Sequence, residues 1–339
     1  MKSEFELINR IRDQVAGRID LDLVLGIGDD AAILREQTGR ETLVTVDFLV
    51  EEIDFKLEYT PPRWLGHKVL AVSLSDIAAM GGRPRYSLLT LGISKTGLNS
   101  DKFWEEVFEG YFALAGKYGL ILIGGDISST PDRLAIDSIV IGHCRQGGAI
   151  RRSRAIAGDE IFVTGRIGAS AIGLKMLEMG ARVNEKEAGL LQNALRAHLR
   201  PEPRVIFGSL IGELDLAHAM IDVSDGLAQD LGRICEESGV DAIIDRHLVP
   251  VADESILVTD DPERAFSFAM SSGEEFELLL TASRKSEGKL MKLAEDCHVL
   301  LTRIGEITKK SNDSATVMLR QDGQVKPMLF SGYDHFINL

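Results

Sequence analysis

The sequence predicts an α/β fold in two domains, and three observations carry that reading. The 339 residues exceed what one ordinary core organises. Short runs rich in Val, Ile and Leu alternate with longer stretches of helical period in both halves. Between the halves, Arg145 to Gly158 carries a loop, Gln146-Gly147-Gly148, and a basic cluster, Arg151-Arg152-Ser153-Arg154. The expected domains are therefore 1–150 and 151–339.

The elements follow in order. Ser3 is placed as the N-cap of a first helix, with Glu6 closing a capping box. The same stretch has no apolar h-region, so no signal peptide is expected. The apolar run Leu23-Val24-Leu25 precedes Gly26-Ile27-Gly28-Asp29-Asp30, a glycine-flanked turn with two adjacent carboxylates. Glu41 to Leu49 reads as a strand with Asp47 near its C-terminal end. Thr60-Pro61-Pro62 opens a helix that Gly81-Gly82 ends. Asp76 lies on that helix among apolar residues. It caps or pairs locally, or it points at a cation, and the helix alone does not choose.

Tyr86 to Ile93 is a strand, and Asn99-Ser100-Asp101 opens a helix ending at Tyr118-Gly119. Leu120 to Ile123 predicts a short strand leading into Gly124-Gly125-Asp126, read as a tight turn that a ligand can approach. Leu134 to His143 is the last strand of this half. In the second half Gly158 to Gly165 is a turn and strand. Ser170–Met179, Lys186–His198 and Pro203–Leu210 show helical period. Met220 to Val223 is a strand, and the Ser224-Asp225-Gly226 turn opens a helix over Leu227–Glu237. Ser271 to Glu277 is a polar turn before Leu278-Leu279-Leu280. A helix near Lys285 to Cys297, further strands and the tail Gly332-Tyr333-Asp334-His335-Phe336 finish the chain.

Several functions are excluded by composition. A net charge of −14 without a basic stripe opposes nucleic acid and anionic membranes. No apolar run approaches the roughly 20 residues that span a bilayer. Cys144, Cys235 and Cys297 lack metal-ligand spacing and suit a reducing cytoplasm. Gly26-Ile27-Gly28-Asp29-Asp30-Ala31 formally matches a dinucleotide fingerprint, but the next strand arrives too soon for the required helix. No Walker loop and no GxSxG elbow occurs. What remains is a series of aspartate turns, suited to hard cations bound through oxygen. Magnesium bridges carboxylates to phosphates, and it would reverse the local sign that otherwise repels a phosphate substrate.

The ordered pieces GIGDD, TVD, SLSDIAAMG, IGGD, IRRS, GDEIFVTG, HLRP, IDVSDGL, SSGEEFEL and GYDHF resemble the thiamine-monophosphate kinases, over nearly the whole chain. That resemblance implies a two-domain fold like aminoimidazole ribonucleotide synthetase, of mixed sheets packed with helices (α/β, or α+β). It implies a homodimer paired through N-terminal strands, and ATP-dependent phosphorylation of thiamine monophosphate. It assigns Asp30, Thr45, Asp47, Asp76 and Asp126, with Asp222 and Asp225 from the second domain, to several Mg2+ ions. Gly125, Asp126, Arg152 and Ser224 match ATP contacts, and Glu274 and Tyr333 resemble substrate contacts. No side chain is expected to act as nucleophile.

Three positions depart from the family pattern. Val46 stands where a hydroxyl residue is common, so a metal contact there uses its backbone carbonyl. Asp54 stands where a substrate-binding His is common, and Glu275 where Asp is common. Among sister enzymes, selenophosphate synthetase would want a cysteine before Cys144, and the hydrogenase-maturation relative a C-terminal one. An aminoimidazole ribonucleotide synthetase-like enzyme and a non-catalytic nucleotide-binding regulator stay as alternatives. GIGDD and GYDHF disfavour the first, and the retained aspartates the second.

Overall fold

The computed structural model describes residues 4–15, 20–25, 27, 32–94, 100–271, 273–311 and 315–328. Two compact units emerge, one of 1–77 with 82–147 and one of 78–81 with 148–339. The first contains α1 (Glu4–Val15), β1 (Leu23–Leu25), β2 (Ile33–Leu34), β3 (Arg40–Val50), α2 (Pro62–Ala79), β4 (Arg83–Ser94), α3 (Asp101–Tyr118), β5 (Ile121–Thr130) and β6 (Ala135–Arg145). Its main sheet has the order β3-β6-β4-β5, with β4 and β5 parallel and the other neighbours antiparallel.

Local chemistry sets the helix ends. Gly81 N–H donates to Ala78 O and Gly82 N–H to Ile77 O, the paired bonds that stop α2. Ser100 caps α3 by accepting from Phe103 N, and Gly119, at φ 67°, ends it. Helices α2 and α3 cross at two glycines. A Cβ on Gly66 would lie 1.8 Å from Val107 O, and one on Gly110 would lie 1.8 Å from Arg63 O. Ser73 donates to Ser138 O and Tyr111 to Ser87 Oγ, both at 2.8 Å, tying these helices to one face of the sheet. On the other face β1 and β2 lie against Tyr86, Leu88, Ile121, Ile123 and Ile141. Arg85 pairs with Asp20 and Asp22 and holds that hairpin to β4.

One expected turn is strand. β5 runs through Gly124-Gly125-Asp126 as far as Thr130. The glycines serve close strand contact, since a Cβ on Gly125 would sit 2.0 Å from Leu89 O. The irregularity is a register shift just before them, opposite Ser87 and Leu88.

The second unit contains β7 (Asp159–Thr164), α4 (Ala169–Glu178), α5 (Leu190–Leu199), α6 (Val205–Leu214), β8 (Ala219–Asp222), α7 (Leu227–Ser238), β9 (Val240–Asp245), α8 (Asp253–Thr259), α9 (Pro262–Ser271), β10 (Leu278–Ser283), α10 (Glu287–Asp296), β11 (Leu301–Lys309), β12 (Val317–Gln321) and β13 (Gln324–Pro327). The sheet order is β13-β12-β9-β11-β7-β10-β8, with only β12 and β9 parallel. Ile161, Val163, Ile221, Ile244 and Leu279 of the sheet pack with Leu227, Leu231 and Ile234 of α7 and Phe266 and Met270 of α9. Helix α5 starts four residues later than expected, at Leu190. Asn184 organises the preceding residues as a turn, accepting from Lys186 N and donating to Glu187. No helix among the described residues is long and apolar enough to cross a membrane.

Candidate active site

Strand alternation places the acidic residues of the first unit. In β3, Thr45 and Asp47 point towards α2, while Val44, Val46 and Phe48 point the other way and are 66%, 58% and 62% exposed. Thr45 donates its hydroxyl to Asp76 Oδ2, which ties β3 to α2. Asp47 lies opposite Ser138. Its Oδ2 is buried and meets no hydrogen-bond donor among the described residues. Burial first, and then the neighbouring charge of Asp76, push the Asp47 carboxyl up to about 7. Two carboxylates and a hydroxyl, one oxygen orphaned, form a donor set that a hard divalent cation satisfies. Among the described residues no third His, Cys, Asp or Glu joins them as a metal group.

The register separates Asp126 from this pair. Asp126 lies beside Thr90, Thr90 beside Asp137, and Asp137 beside Phe48. Cross-strand partners share a face, so Asp126 and Asp137 flank Thr90 on the face opposite Asp47, although the Asp137 charge still reaches Asp47 and helps raise it. Asp137 escaped the sequence reading; its only signal was an acid amid the apolar residues of a strand. Gly125 falls in the same row as Asp47. The Val46 side chain faces away from Asp76, and only its backbone is on hand for a cation. Asp54 Oδ2 accepts from Val50 N at 2.7 Å, and buried Lys68 donates to the Asp54 carbonyl at 3.4 Å, so this residue closes the turn after β3. Asp30 and Tyr333 lie outside the described residues.

In the second unit the two acidic motifs are joined by their backbones. Val223 N donates to Glu277 O, Phe276 N to Val223 O and Glu274 N to Ser224 O, at 2.8, 2.9 and 2.8 Å. Asp222 is buried at the end of β8. Glu274 adopts a left-handed φ of 58°, and its Oε2 lies 3.2 Å from Nδ1 of buried His198, which also contacts Ser170 Oγ at 3.2 Å. Glu275 Oε1 accepts from Gly168 N and Ser170 N at 2.8 and 3.2 Å, capping α4 from a distance. Enclosure of that carboxyl pushes it up to about 8. Glu277 pairs with Arg204 and accepts from Thr164. Arg152 is exposed, and its carbonyl accepts from Ser238 Oγ at 2.7 Å.

Asp230, which the sequence did not single out, organises the Ser224-Asp225-Gly226 turn. Its Oδ2 accepts the three backbone N–H groups of those residues, and its Oδ1 accepts from Arg233. Burial holds its carboxyl up at about 6 despite these bonds. Its one trace in the sequence is an acid in the first turn of a helix.

Residues 28–144 match the family AIR synthase related protein, N-terminal domain, and residues 157–318 match AIR synthase related protein, C-terminal domain. The chain is 37% identical over 335 residues to the thiamine-monophosphate kinase of Bacillus subtilis (strain 168), covering 98% of this chain and 99% of that one. The chain belongs to the thiamine-monophosphate kinase family. Thiamine-monophosphate kinase from Stenotrophomonas maltophilia K279a shares the fold at a TM-score of 0.82 and 37% identity, covering 95% of this chain and 97% of that one. AaThiL complexed with AMPPCP and TMP is similar at a TM-score of 0.76 and 26% identity, covering 98% and 97%. The α/β fold like that of AIR synthase, expected from the family resemblance, is thus the fold of this chain.

Proposed function

We propose that the chain converts thiamine monophosphate to thiamine diphosphate, using ATP as phosphoryl donor and magnesium as its metal. The observation that carries this reading is similarity to a thiamine-monophosphate kinase across 98% of the chain. The similar protein AaThiL, complexed with AMPPCP and TMP, supports the same pair of substrates. The orphaned Oδ2 of Asp47 beside Asp76 suits the metal.

Asp30, Thr45, the Val46 carbonyl, Asp47, Asp76 and Asp126 in the first unit, and Asp222 and Asp225 in the second, are the proposed metal ligands. Because the sheet separates Asp126 from Asp47 and Asp76, this assignment requires more than one ion. Gly125, Asp126, Arg152 and Ser224 are assigned to ATP, and Asp54, Glu274 and Tyr333 to thiamine monophosphate. Residues 1–150 serve ATP, metal and dimer contacts, and 151–339 contribute nucleotide and substrate contacts.

Bound magnesium would supply charge neutralisation for the phosphates. An oxygen of the substrate's phosphate, already ionised at neutral pH, attacks the γ-phosphorus of ATP. The bond from that phosphorus to the β-bridging oxygen breaks, and ADP leaves. No protein nucleophile and no strong base are needed, so the chain's work is alignment. Thr45 holds Asp76 in place, and His198 does the same for Glu274.

The exposed apolar row Val44, Val46 and Phe48 on the edge strand β3 is assigned to a homodimer contact. The three free cysteines fit a cytoplasmic setting. The test is purified protein with ATP, magnesium and thiamine monophosphate, with thiamine diphosphate measured by chromatography. Substrates of the sister enzymes serve as controls. Thiamine diphosphate is the expected product; turnover of a sister substrate alone would overturn the reading.

A further inference from the structure

We propose that Asp230 and Arg233 are positioning residues that lock the Ser224-Asp225-Gly226 turn and aim the carboxylate of Asp225. The proposal rests on the reading above, in which Asp225 is a metal ligand and Ser224 touches ATP.

The bonds form a closed circuit. Asp230 is the fourth residue of α7 and has no exposure to solvent. Its Oδ2 receives the backbone N–H groups of Ser224, Asp225 and Gly226 at 3.1, 3.1 and 3.2 Å. Its Oδ1 receives Nη1 of Arg233 at 2.9 Å. The other arm of the same guanidinium, Nη2, donates to Asp225 Oδ2. The backbone of the turn and the side chain of Asp225 are therefore held by the two ends of one Asp–Arg pair. A change in the turn would leave the buried Oδ2 of Asp230 without donors, which is costly. Gly226 cannot be replaced by a larger residue to relax the turn: it has φ 123°, and a Cβ there would lie 2.9 Å from the Ser271 backbone.

The amides that Asp230 holds are those of the turn leading into α7, so its carboxylate fixes the turn that carries Asp225. Arg233 commits both arms to Asp225 and Asp230, so it aims a ligand and does not grip ATP. Asp225 Oδ1 is the carboxylate oxygen outside the circuit, which gives this residue one oxygen to offer a cation.

The test compares Arg233→Met, Arg233→Lys, Asp230→Asn and Asp225→Asn in the full chain. Mn2+ affinity is read by electron paramagnetic resonance with a non-hydrolysable ATP analogue, alongside kcat and KM. Arg233→Met leaves the Asp230 bonds to the turn in place, so a purely structural cap predicts no change in metal affinity. Positioning predicts that it weakens Mn2+ binding and lowers kcat by about tenfold or more, while KM for thiamine monophosphate stays within about twofold. Arg233→Lys recovers part of the loss. If Arg233→Met binds Mn2+ as the parent does, the proposal is overturned, whether or not Asp230→Asn folds. If Asp225→Asn binds Mn2+ like the parent, Asp225 is no ligand and the proposal is likewise overturned. A parent chain that binds Mn2+ with the nucleotide but makes no thiamine diphosphate refutes the proposed reaction instead. The Mn2+ affinities of the variants then still decide the positioning.

Discussion

Asp47 keeps Oδ2 buried without a donor next to the Asp76 carboxylate. Asp47→Asn removes that repulsion together with the cation ligand, so the two effects are separable. Thiamine diphosphate formation is expected to fall by about a hundredfold or more. The melting temperature of the metal-free variant is expected to equal or exceed the parent's. Undiminished turnover would refute the assignment. Glu275 tests the same physics without metal. Its folded carboxyl holds a proton up to about 8, whereas the unfolded chain releases it near the ordinary 4.5. The folded state thus binds more protons between those values, and its stability falls as pH rises through that window. Glu275→Gln keeps an oxygen for Gly168 N and Ser170 N but cannot ionise. Melting curves from pH 4.5 to 8 should flatten for the variant, and equal slopes in both proteins would contradict this account. The motif aspartates stood out in the sequence as an ordered series, though Asp47 and Asp126 lie on strands and Asp76 on a helix. Asp137 and Asp230 did not, because a strand acid and a helix-start acid gain their meaning only from partners that folding supplies.

The crossing of α2 and α3 depends on backbone contact at Gly66 and Gly110. Gly110→Ala places a methyl 1.8 Å from Arg63 O and should destabilise the chain by about 1–3 kcal/mol. Gly116→Ala on the same helix meets nothing within 4 Å and should hold or raise stability, by up to about 1 kcal/mol. Calorimetry on the two variants reads the opposite signs, and a shared sign would refute the crossing argument. At this scale the helix ends were legible, because Ser100, Gly119 and Gly81-Gly82 act locally. Gly124-Gly125 misled because glycine marks both tight turns and close strand pairs, and only the neighbour Leu89 distinguishes them. The Lys186 start misled because helical period persists through a turn that Asn184 holds.

Across the whole molecule, alternating strands and helices made the α/β class readable, while strand order was not. Pairing β4 in parallel with β5 and antiparallel with β6 depends on contacts far apart in sequence. The homodimer assignment is tested by light scattering. Phe48→Glu charges the exposed row of β3 and is expected to halve the particle mass, whereas an unchanged mass would place the contact elsewhere. The ladder of β3 with β6 also runs eleven residues without a bulge, and no proline interrupts its outer rim. Such a rim offers unsatisfied main-chain groups beside Val44, Val46 and Phe48 to any passing strand. Under the proposed homodimer, a lone protomer, left by dilution or by slow assembly during synthesis, is the species from which fibrous precipitate should grow.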